Sequence, residues 1–301
     1  MSFDPNTFNP HDPAFLADPY PTYALFRQQA PVHQVKASIQ AQGRDITLYD
    51  STWVFRYEDA KYVLDGTALF PKSPVNPKPS APPFDVLQNM PAGIFSMNPP
   101  RHTQLRPILD NLFAKAIEQI EGVAQELGNS LLDSAQTSRR IELVDAYANP
   151  LPSTVLQTVL GIPAQDWLGV TKWVQGVVAG HDYTAPIAAQ MMGGTCALAL
   201  GGYFQALNRG CPMQANKGRM ADLMVTQAEA QGMLPDEVQM TLVNLAVAGY
   251  ISSVFLIATG TLNLLKNPEQ LALLRAQPEL IDSATEEMLR YDATAQLAAG
   301  F

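Results

Sequence analysis

The sequence of 301 residues is long enough to bury a large core, as one large domain or two ordinary ones. Hydrophobic residues make up 47% of the chain and charged residues 16%, which is typical of a folded enzyme and unlike a disordered segment. The formal net charge of −9 argues against nucleic acid as a partner, because binding to phosphates requires a basic face.

The sequence carries no evident targeting signal. Its start, Met1 to Pro5, has neither a basic n-region nor an apolar h-region, so we expect no signal peptide. No run of eighteen apolar residues occurs, so we expect no membrane anchor. Cys196 and Cys211 form no recognisable pattern. A disulfide between them is one alternative, but the sequence favours free thiols in a cytoplasmic protein.

The first 70 residues predict a short helix and then a small β-sheet. The helix covers Tyr20 to Gln29. Residues 45–49 and 53–57 are β-rich runs, and Asp50-Ser51-Thr52 between them predicts a hairpin turn. A second helix begins at Glu58 and ends at Gly66.

Residues 71–100 contain nine prolines, which exclude regular structure and predict a long exposed loop. Such loops in compact domains are often lids or binding loops. Beyond this loop the apolar period is helical. The segments that predict helices are 105–113, 117–127, 143–160 with a stop at Gly161-Ile162-Pro163, 167–178 and 186–207, and a turn-rich break follows at 208–218.

The longest predicted helix starts at Pro235-Asp236-Glu237, where a first-turn proline and two acids favour helix initiation. It runs to about Leu265, roughly 45 Å at 1.5 Å per residue. Because Leu242 to Phe255 is almost free of charge, we expect burial on most sides. Two more helices follow, at 268–277 and 279–291. The fold class is therefore mainly α with a small β-sheet near the N-terminus.

Three segments carry chemistry. In the first, His102 and Arg106 are four residues apart near the start of a helix, so both project from one face. A basic pair of this kind suits a ligand with carboxylates, because guanidinium binds a carboxylate with two hydrogen bonds. The alternative is that both are solvated residues of the first turns.

The second segment, Ala248 to Ser253, lies in the middle of the long helix. A glycine inside a helix costs about 1 kcal/mol relative to alanine, so Gly249 beside Ser252 and Ser253 indicates a bend or the close approach of a ligand. A tight helix crossing, with serines that bond back to the preceding turn, explains the pattern equally well.

The third segment holds Glu287 and Arg290, three residues apart on one helix face. Taken alone, this pair is typical of a solvated surface ion pair. The pair indicates a function only in combination with the first two segments and their order along the chain.

The order of Pro99-Pro100-Arg101-His102-Thr103-Gln104-Leu105-Arg106, Ala248-Gly249-Tyr250-Ile251-Ser252-Ser253 and Glu286-Glu287-Met288-Leu289-Arg290-Tyr291-Asp292 resembles the cytochrome P450 family, the haem-thiolate monooxygenases of soluble bacterial type. The resemblance extends over essentially the whole chain and is most specific from 241 to 292. It implies a P450-like fold for residues 1–301 as a single domain, with a β-containing part at 1–70, a substrate-side loop at 71–100 and a helical part at 101–301.

The resemblance also implies roles for individual residues. His102 and Arg106 match the residues that bind a haem propionate, and Glu287 and Arg290 match a structural pair tied to a downstream loop. Gly249, Ser252 and Ser253 match the catalytic segment beside the oxygen-binding face of the haem. The loop before Arg101 matches the cover of the substrate pocket, whose apolar candidates are Phe84, Leu87, Ile94 and Phe95.

The sequence departs from the family in two places. The cysteine thiolate that binds the haem iron follows the Glu-x-x-Arg helix in the family, and neither Cys196 nor Cys211 has the right neighbours or order, so we assign no metal ligand. We expect the C-terminal quarter of a family member to be absent. Where the family places an acid that relays protons, this chain has Ile251, which cannot carry one.

The leading hypothesis is a haem-dependent monooxygenase that oxidises a small, largely apolar molecule with O₂ and two electrons from a ferredoxin-type donor. The alternative is a catalytically inert, truncated relative that acts as a partner or stabiliser of another enzyme. A third reading is a helical protein that binds an apolar molecule without haem. Because the missing quarter would leave an apolar face open, a protein partner that covers this face is a further expectation.

Overall fold

The computed structural model describes residues 4–10, 12–41, 44–72, 93–118, 120–133, 135–136, 139–181, 187–210 and 219–296. The chain divides into two compact units, whose described residues lie within Met1–Val75 and within Asn76–Ala299. The first unit contains a two-stranded sheet and the second is helical, which confirms the predicted fold class.

The first unit is built around aromatic side chains. Phe26 is fully buried and stacks on Phe55 with ring centroids 4.3 Å apart, and Phe8 meets Phe26 edge-on at 5.0 Å. The elements of this unit are a 3₁₀ turn Pro5–Thr7, α1 Pro13–Ala17, α2 Tyr20–Gln29, β1 Val32–Ala41, β2 Arg44–Val54 and α3 Tyr57–Asp65.

The predicted hairpin turn at residues 50–52 is wrong, because these residues lie inside β2. Their polar side chains have partners across the antiparallel sheet: Asp50 forms an ion pair with Lys36 at 2.9 Å, and Thr52 Oγ1 donates to Gln34 Oε1 at 2.8 Å. Cross-strand pairing therefore satisfies groups that suggested a turn in the sequence. The strand β1, which supplies these partners, was not predicted.

The helical unit confirms the predicted helices from residue 101 onward. The stop at Gly161 is a left-handed glycine with φ 75°, typical of a helix C-terminus. The elements are a 3₁₀ turn Ile94–Ser96, α4 Arg101–Ile117, α5 Glu121–Asp133, a π turn Val144–Ala148, α6 Pro150–Leu160, α7 Trp167–His181, α8 Ile187–Gly210, α9 Met220–Leu223, a π turn Met224–Ala228, a 3₁₀ turn Glu229–Gln231, α10 Pro235–Lys266, α11 Pro268–Ala276, a 3₁₀ turn Pro278–Leu280 and α12 Ile281–Tyr291.

The helical segment between residues 220 and 231 was missed by the sequence prediction. Its buried side chains recur at helical spacing, with Met220, Met224 and Ala228 fully buried. This period of four residues is the signal that the short segment offered. The segment follows residues 211–218, which lie outside the described residues.

The central helix α10 packs against α6, α7 and α8. Its N-terminal half carries most of its buried side chains, among them Val238, Leu242 and Ala246. By length and composition α10 is also apolar enough to cross a membrane, with a mean hydropathy of 1.9 over its most apolar stretch. The same properties belong to the core helix of a globular domain, and the packing of its N-terminal half favours that explanation.

Candidate functional site

The end of the proline-rich loop lies against α10. The Ile94 N–H donates to Thr241 Oγ1 at 3.4 Å, and Ile94 is buried in the core cluster. A Cβ atom at Gly93 would overlap Asn244 Oδ1 and would lie 2.8 Å from the Met240 carbonyl oxygen, so a larger residue here requires the backbone to shift. Of the predicted pocket residues, Ile94 is thus placed beside α10, whereas Phe95 is 57% exposed. Phe84 and Leu87 lie outside the described residues.

A half-buried ion pair joins the start of α4 to the start of α10. Arg101 Nε donates to Glu237 Oε1 at 2.8 Å, and Arg101 Nη2 donates both to Glu237 Oε2 and to the Gly232 carbonyl, the latter at 2.8 Å. Glu237 also accepts a hydrogen bond from the Leu234 N–H at 2.8 Å. The hydrogen bond from Arg101 lowers the pKa of Glu237, while partial burial opposes this shift.

The sequence reasoning missed the Arg101–Glu237 pair. The available signal was the position of Arg101 directly before His102, together with an acid in the first turn of the long helix. Residues 136 positions apart cannot be paired from one sequence alone. The pair fixes the first turn of α4, and with it the two basic candidates, relative to α10.

His102 and Arg106 lie on one face of α4, as their spacing predicts. His102 is half-buried and Arg106 is exposed. Arg106 Nε donates to Asp110 Oδ1 at 2.7 Å. Within the described part of the chain no other partner of this guanidinium is recorded, so its terminal nitrogens face solvent. This arrangement leaves the two terminal nitrogens, which carry four N–H groups, for a carboxylate.

Gly249 lies at a tight crossing of α10 and α6. A Cβ atom at this position would come within 3.0 Å of Leu156 Cδ1. The Ser252 hydroxyl donates to the Ala248 carbonyl, and the Ser253 hydroxyl donates to the Gly249 carbonyl at 3.0 Å. These contacts match the interpretation of a helix crossing with serines that bond back to the preceding turn. Ser252 is exposed and is therefore accessible to a ligand or to water.

The residues between Gly249 and Ser252 face the interior of the helical unit. Tyr250 is buried, its hydroxyl donates to Asn149 Oδ1 at 3.1 Å, and Gln175 Nε2 lies 3.5 Å from the same hydroxyl. Ile251 is half-buried against the core cluster. The polar network around Tyr250 thus connects α10 with Asn149, the residue before α6, and with α7.

Glu287 and Arg290 form two parallel hydrogen bonds on α12. Arg290 Nε donates to Glu287 Oε2 at 2.6 Å and Arg290 Nη2 donates to Glu287 Oε1 at 2.7 Å. The hydrogen bonds from Arg290 lower the pKa of the Glu287 carboxyl. Both side chains are more than half exposed. Within the described residues the pair is therefore a surface pair, and its predicted role as an anchor for a downstream loop stays a prediction.

A cavity of about 330 Å³ lies beside this pair, between α10, α11 and α12. Gly260 and Met288 line it, and a Cβ atom at Gly260 would lie 2.7 Å from Met288 Sδ. Glycine at this position lets α12 approach α10 closely. The central helix thus holds the Gly93–Arg101 segment near its start and the Glu287 helix about 35 Å further along, at 1.5 Å per residue.

Comparison with known proteins identifies the family. No family model matches the chain. The cytochrome P450 monooxygenase PikC of Streptomyces venezuelae is 33% identical over 288 residues, which cover 94% of this chain and 65% of that protein. The biotin biosynthesis cytochrome P450 of Bacillus subtilis is 27% identical over 286 residues, which cover 95% of this chain and 70% of that protein.

Comparison with solved structures indicates the same family. The crystal structure of P450BioI in complex with an acyl carrier protein ligated to hexadec-9Z-enoic acid matches with a TM-score of 0.79 and 28% identity, over 95% of this chain and 72% of that one. The chain belongs to the cytochrome P450 family. It spans about two thirds of the length of the curated relatives that it matches.

The family uses haem, and the described residues offer contacts for part of a haem molecule. Arg106 offers free guanidinium N–H groups that suit a propionate, and the exposed face of α10 around Ser252 and Phe255 offers apolar surface. No cluster of three or more potential metal ligands occurs among the described residues. Cys196 packs against Gly176 at the crossing of α7 and α8, which is inconsistent with iron ligation, and Cys211 lies outside the described residues.

Proposed function

We propose that this protein is a haem-dependent monooxygenase, an oxidoreductase of the cytoplasm. Its substrate is a small, largely apolar molecule, and a ferredoxin-type protein supplies two electrons. The observation that supports this proposal is the match of 94% of the chain to a relative described as a monooxygenase. The relatives favour this function over the alternative of an inert partner protein, because the matched proteins are themselves cytochromes P450.

The proposed roles of the side chains rest on the resemblance to the family, and the positions of these residues are compatible with them. His102 and Arg106 bind the propionates of the haem, with the terminal guanidinium nitrogens of Arg106 as donors. The Arg101–Glu237 pair holds the first turn of α4 in place for this contact. When bound, haem supplies the electron-transfer and O₂ chemistry that the side chains of the chain lack.

Ser252 is the proposed site of proton delivery. Its hydroxyl proton is engaged by the Ala248 carbonyl, so proton transfer requires a water molecule at the exposed serine. Ile251, beside it, cannot take up or release a proton. We therefore infer that protons reach the site more slowly than in a relative with a carboxylate here, since general acid catalysis contributes about 10²–10⁴-fold.

Incorporation of labelled oxygen tests the proposed function. The haem-loaded protein is incubated with ¹⁸O₂, a ferredoxin, its reductase and hexadec-9Z-enoic acid, the acyl group in the solved relative. The expected product contains one ¹⁸O atom. Absence of a labelled product with this acid, and with a panel of other fatty acids and macrolactones, would refute a monooxygenase.

A variant pair tests the role of residue 251. Ile251→Asp introduces a carboxylate beside Ser252 and should raise the yield of product per electron by about tenfold, within the range for general acid catalysis. Ile251→Asn has nearly the same size and polarity but cannot ionise, and it serves as the matched control. Equal yields for both variants would show that proton delivery at this position does not limit the reaction.

A further inference from the structure

Asn244 on α10 carries a polar atom without a partner. Its Oδ1 atom is buried, and among the residues that the structure describes no donor lies within hydrogen-bond distance of it. A Cα–H group of Gly93 points at this oxygen, because a Cβ atom built there would overlap it, and a C–H group is only a weak donor. Buried amide oxygens nearly always have a partner, so this one requires an explanation.

The preceding polar side chain on the same helix face is satisfied. Thr241 is fully buried, and its Oγ1 accepts a hydrogen bond from the Ile94 N–H at 3.4 Å. At Asn244, in contrast, an apolar side chain of the same shape would avoid the cost of a buried oxygen without a donor. The amide therefore does not serve the packing of the fold, which indicates a role toward a ligand.

Asn244 shares its helix face with Ser252, the residue at which we place proton delivery. Spacings of three, four and four residues put four side chains on this face, which we call the α10 stripe: Thr241, Asn244, Ala248 and Ser252. Exposure rises along the stripe, since Thr241 is buried, Asn244 and Ala248 are half-buried and Ser252 is exposed. The small side chain of Ala248 leaves room for a molecule that lies between Ser252 and Asn244.

The amide of Asn244 can present its oxygen to such a molecule. The residue is half-buried although its Oδ1 is buried, so the other end of the amide is accessible. Rotation about the Cβ–Cγ bond exchanges Oδ1 with Nδ2. Nδ2 then lies near the Met240 carbonyl oxygen, which is 2.8 Å from the position that a Cβ atom of Gly93 would occupy. The amide thus gains a possible acceptor inside the protein while its oxygen faces the stripe.

We propose that Asn244 accepts a hydrogen bond from a hydroxyl or N–H group of the substrate. The inference rests on the proposed function, since it takes Ser252 as the end of the stripe at which oxidation occurs. Asn244 and Ser252 are eight residues apart, which is about 12 Å along the helix axis. The substrate class is therefore an elongated, largely apolar molecule whose hydrogen-bond donor lies about 12 Å from the oxidised carbon.

Calorimetric titration of the full 301-residue chain in the presence of haem tests the donor requirement without any turnover. Decanol, whose hydroxyl and terminal methyl group are roughly 12 Å apart in the extended chain, fits the spacing. The wild-type protein should bind decanol at least about tenfold more tightly than decyl methyl ether, because the ether oxygen cannot donate a hydrogen bond. Equal affinities in the wild-type protein would overturn the proposal and would indicate that water alone satisfies Asn244.

Variants of residue 244 assign the preference to this side chain. Asn244→Leu has a similar shape but no acceptor, and it should bind the two molecules with affinities within about twofold of each other. Asn244→Asp keeps an acceptor and should keep the preference for decanol. Asn129→Leu, which removes an exposed amide of α5, is the matched control and should behave like the wild type. A preference for decanol that persists in Asn244→Leu contradicts the assignment.

Product analysis separates this inference from the proposed function. With decanol and ¹⁸O₂, the wild-type protein should oxidise the chain near its methyl end, whereas Asn244→Leu should give products spread along the chain. Oxidation with the same product distribution in both proteins overturns the role of Asn244 and leaves the monooxygenase in place. Tighter binding of decanol without any oxidation refutes the monooxygenase and supports the hydrogen bond to Asn244.

Discussion

The two halves of α10 have the same apolar character but different surroundings. Before Tyr250 the helix is held by the Arg101–Glu237 pair and the Gly93 turn, and side chains such as Leu242 are fully buried. After Tyr250 the side chains of Phe255, Leu262 and Leu265 are 45%, 48% and 64% exposed. An uncharged helix sequence therefore predicts burial only where another element packs against it. The expectation of burial on most sides from Leu242 to Phe255 was wrong for Ser252 and Phe255, which are exposed.

The largest expected difference between the halves comes from leucine truncation. Leu242→Ala should lower the free energy of unfolding by about 3 kcal/mol, because it removes buried methyl groups and leaves a cavity. Leu262→Ala, on the same helix but half exposed, should cost less than about 1 kcal/mol. Urea denaturation measures both. Equal costs would contradict the division of α10 into a packed and an open half.

The Gly93 contact distinguishes the packed half in a second way. Gly93→Ala should destabilise the protein by about 2 kcal/mol, because the new methyl group collides with Asn244 Oδ1 and lies 2.8 Å from the Met240 carbonyl. Gly122→Ala is the control: no atom lies within 4 Å of its Cβ position on α5. That substitution should be neutral or stabilise by up to about 1 kcal/mol. A neutral Gly93→Ala would show that the turn does not pack on α10.

The Arg101–Glu237 pair predicts a pH dependence. Since the folded-state pKa of Glu237 is lowered from 4.5, its carboxylate stabilises the fold above that pH, and the stabilisation is lost as the pH falls through the folded-state pKa. At pH 7 Glu237→Gln should cost about 1.5 kcal/mol, and the difference from wild type should shrink below pH 4.5.

The neighbouring acid provides the control for this pair. Asp236→Asn removes the same charge from the same helix turn, at an exposed side chain without the Arg101 contact, and should change stability by less than about 0.5 kcal/mol. Urea unfolding of the three proteins between about pH 3 and 7 separates the two carboxylates. A pH-independent difference for Glu237→Gln would show that its charge does not contribute.

The smallest expected effect lies in the open half. Arg290→Ala should leave the urea midpoint unchanged within error, because Arg290 and Glu287 bond to each other on the surface. Met288→Ala, between them, should lower the midpoint clearly, since Met288 packs against Gly260. If Arg290→Ala destabilises the protein as much as Met288→Ala, the Arg290 side chain contacts more of the protein than Glu287 alone.

The sequence predicted the helices well because their apolar period and their stop signals are local. Gly161 and Pro235 mark an end and a start that the structure confirms. The sheet was predicted only in part, since the polar residues Asp50 and Thr52 are satisfied by partners on β1 that no local pattern identifies. The same limit explains the missed segment at 220–231, whose helical period covers only about two turns.

The sequence predicted which segments contribute to the site but not how these segments contact each other. Spacing correctly placed His102 with Arg106 and Glu287 with Arg290 on shared helix faces. Spacing could not show that Gly249 faces Leu156, nor that Arg101 reaches Glu237, because these contacts join residues about 90 and 136 positions apart. Long-range pairs of this kind depend on the packing of helices.

Titration of the purified protein with haem tests the central claim most directly. We predict a saturable Soret band with one haem per chain, and about tenfold weaker binding in Arg106→Ala, because a charge-assisted hydrogen bond to a propionate is lost. Arg275→Ala, an exposed arginine in the last turn of α11, should bind haem like the wild type. A protein without a saturable band, or equal affinity in all three proteins, would contradict the proposed haem contact at His102 and Arg106.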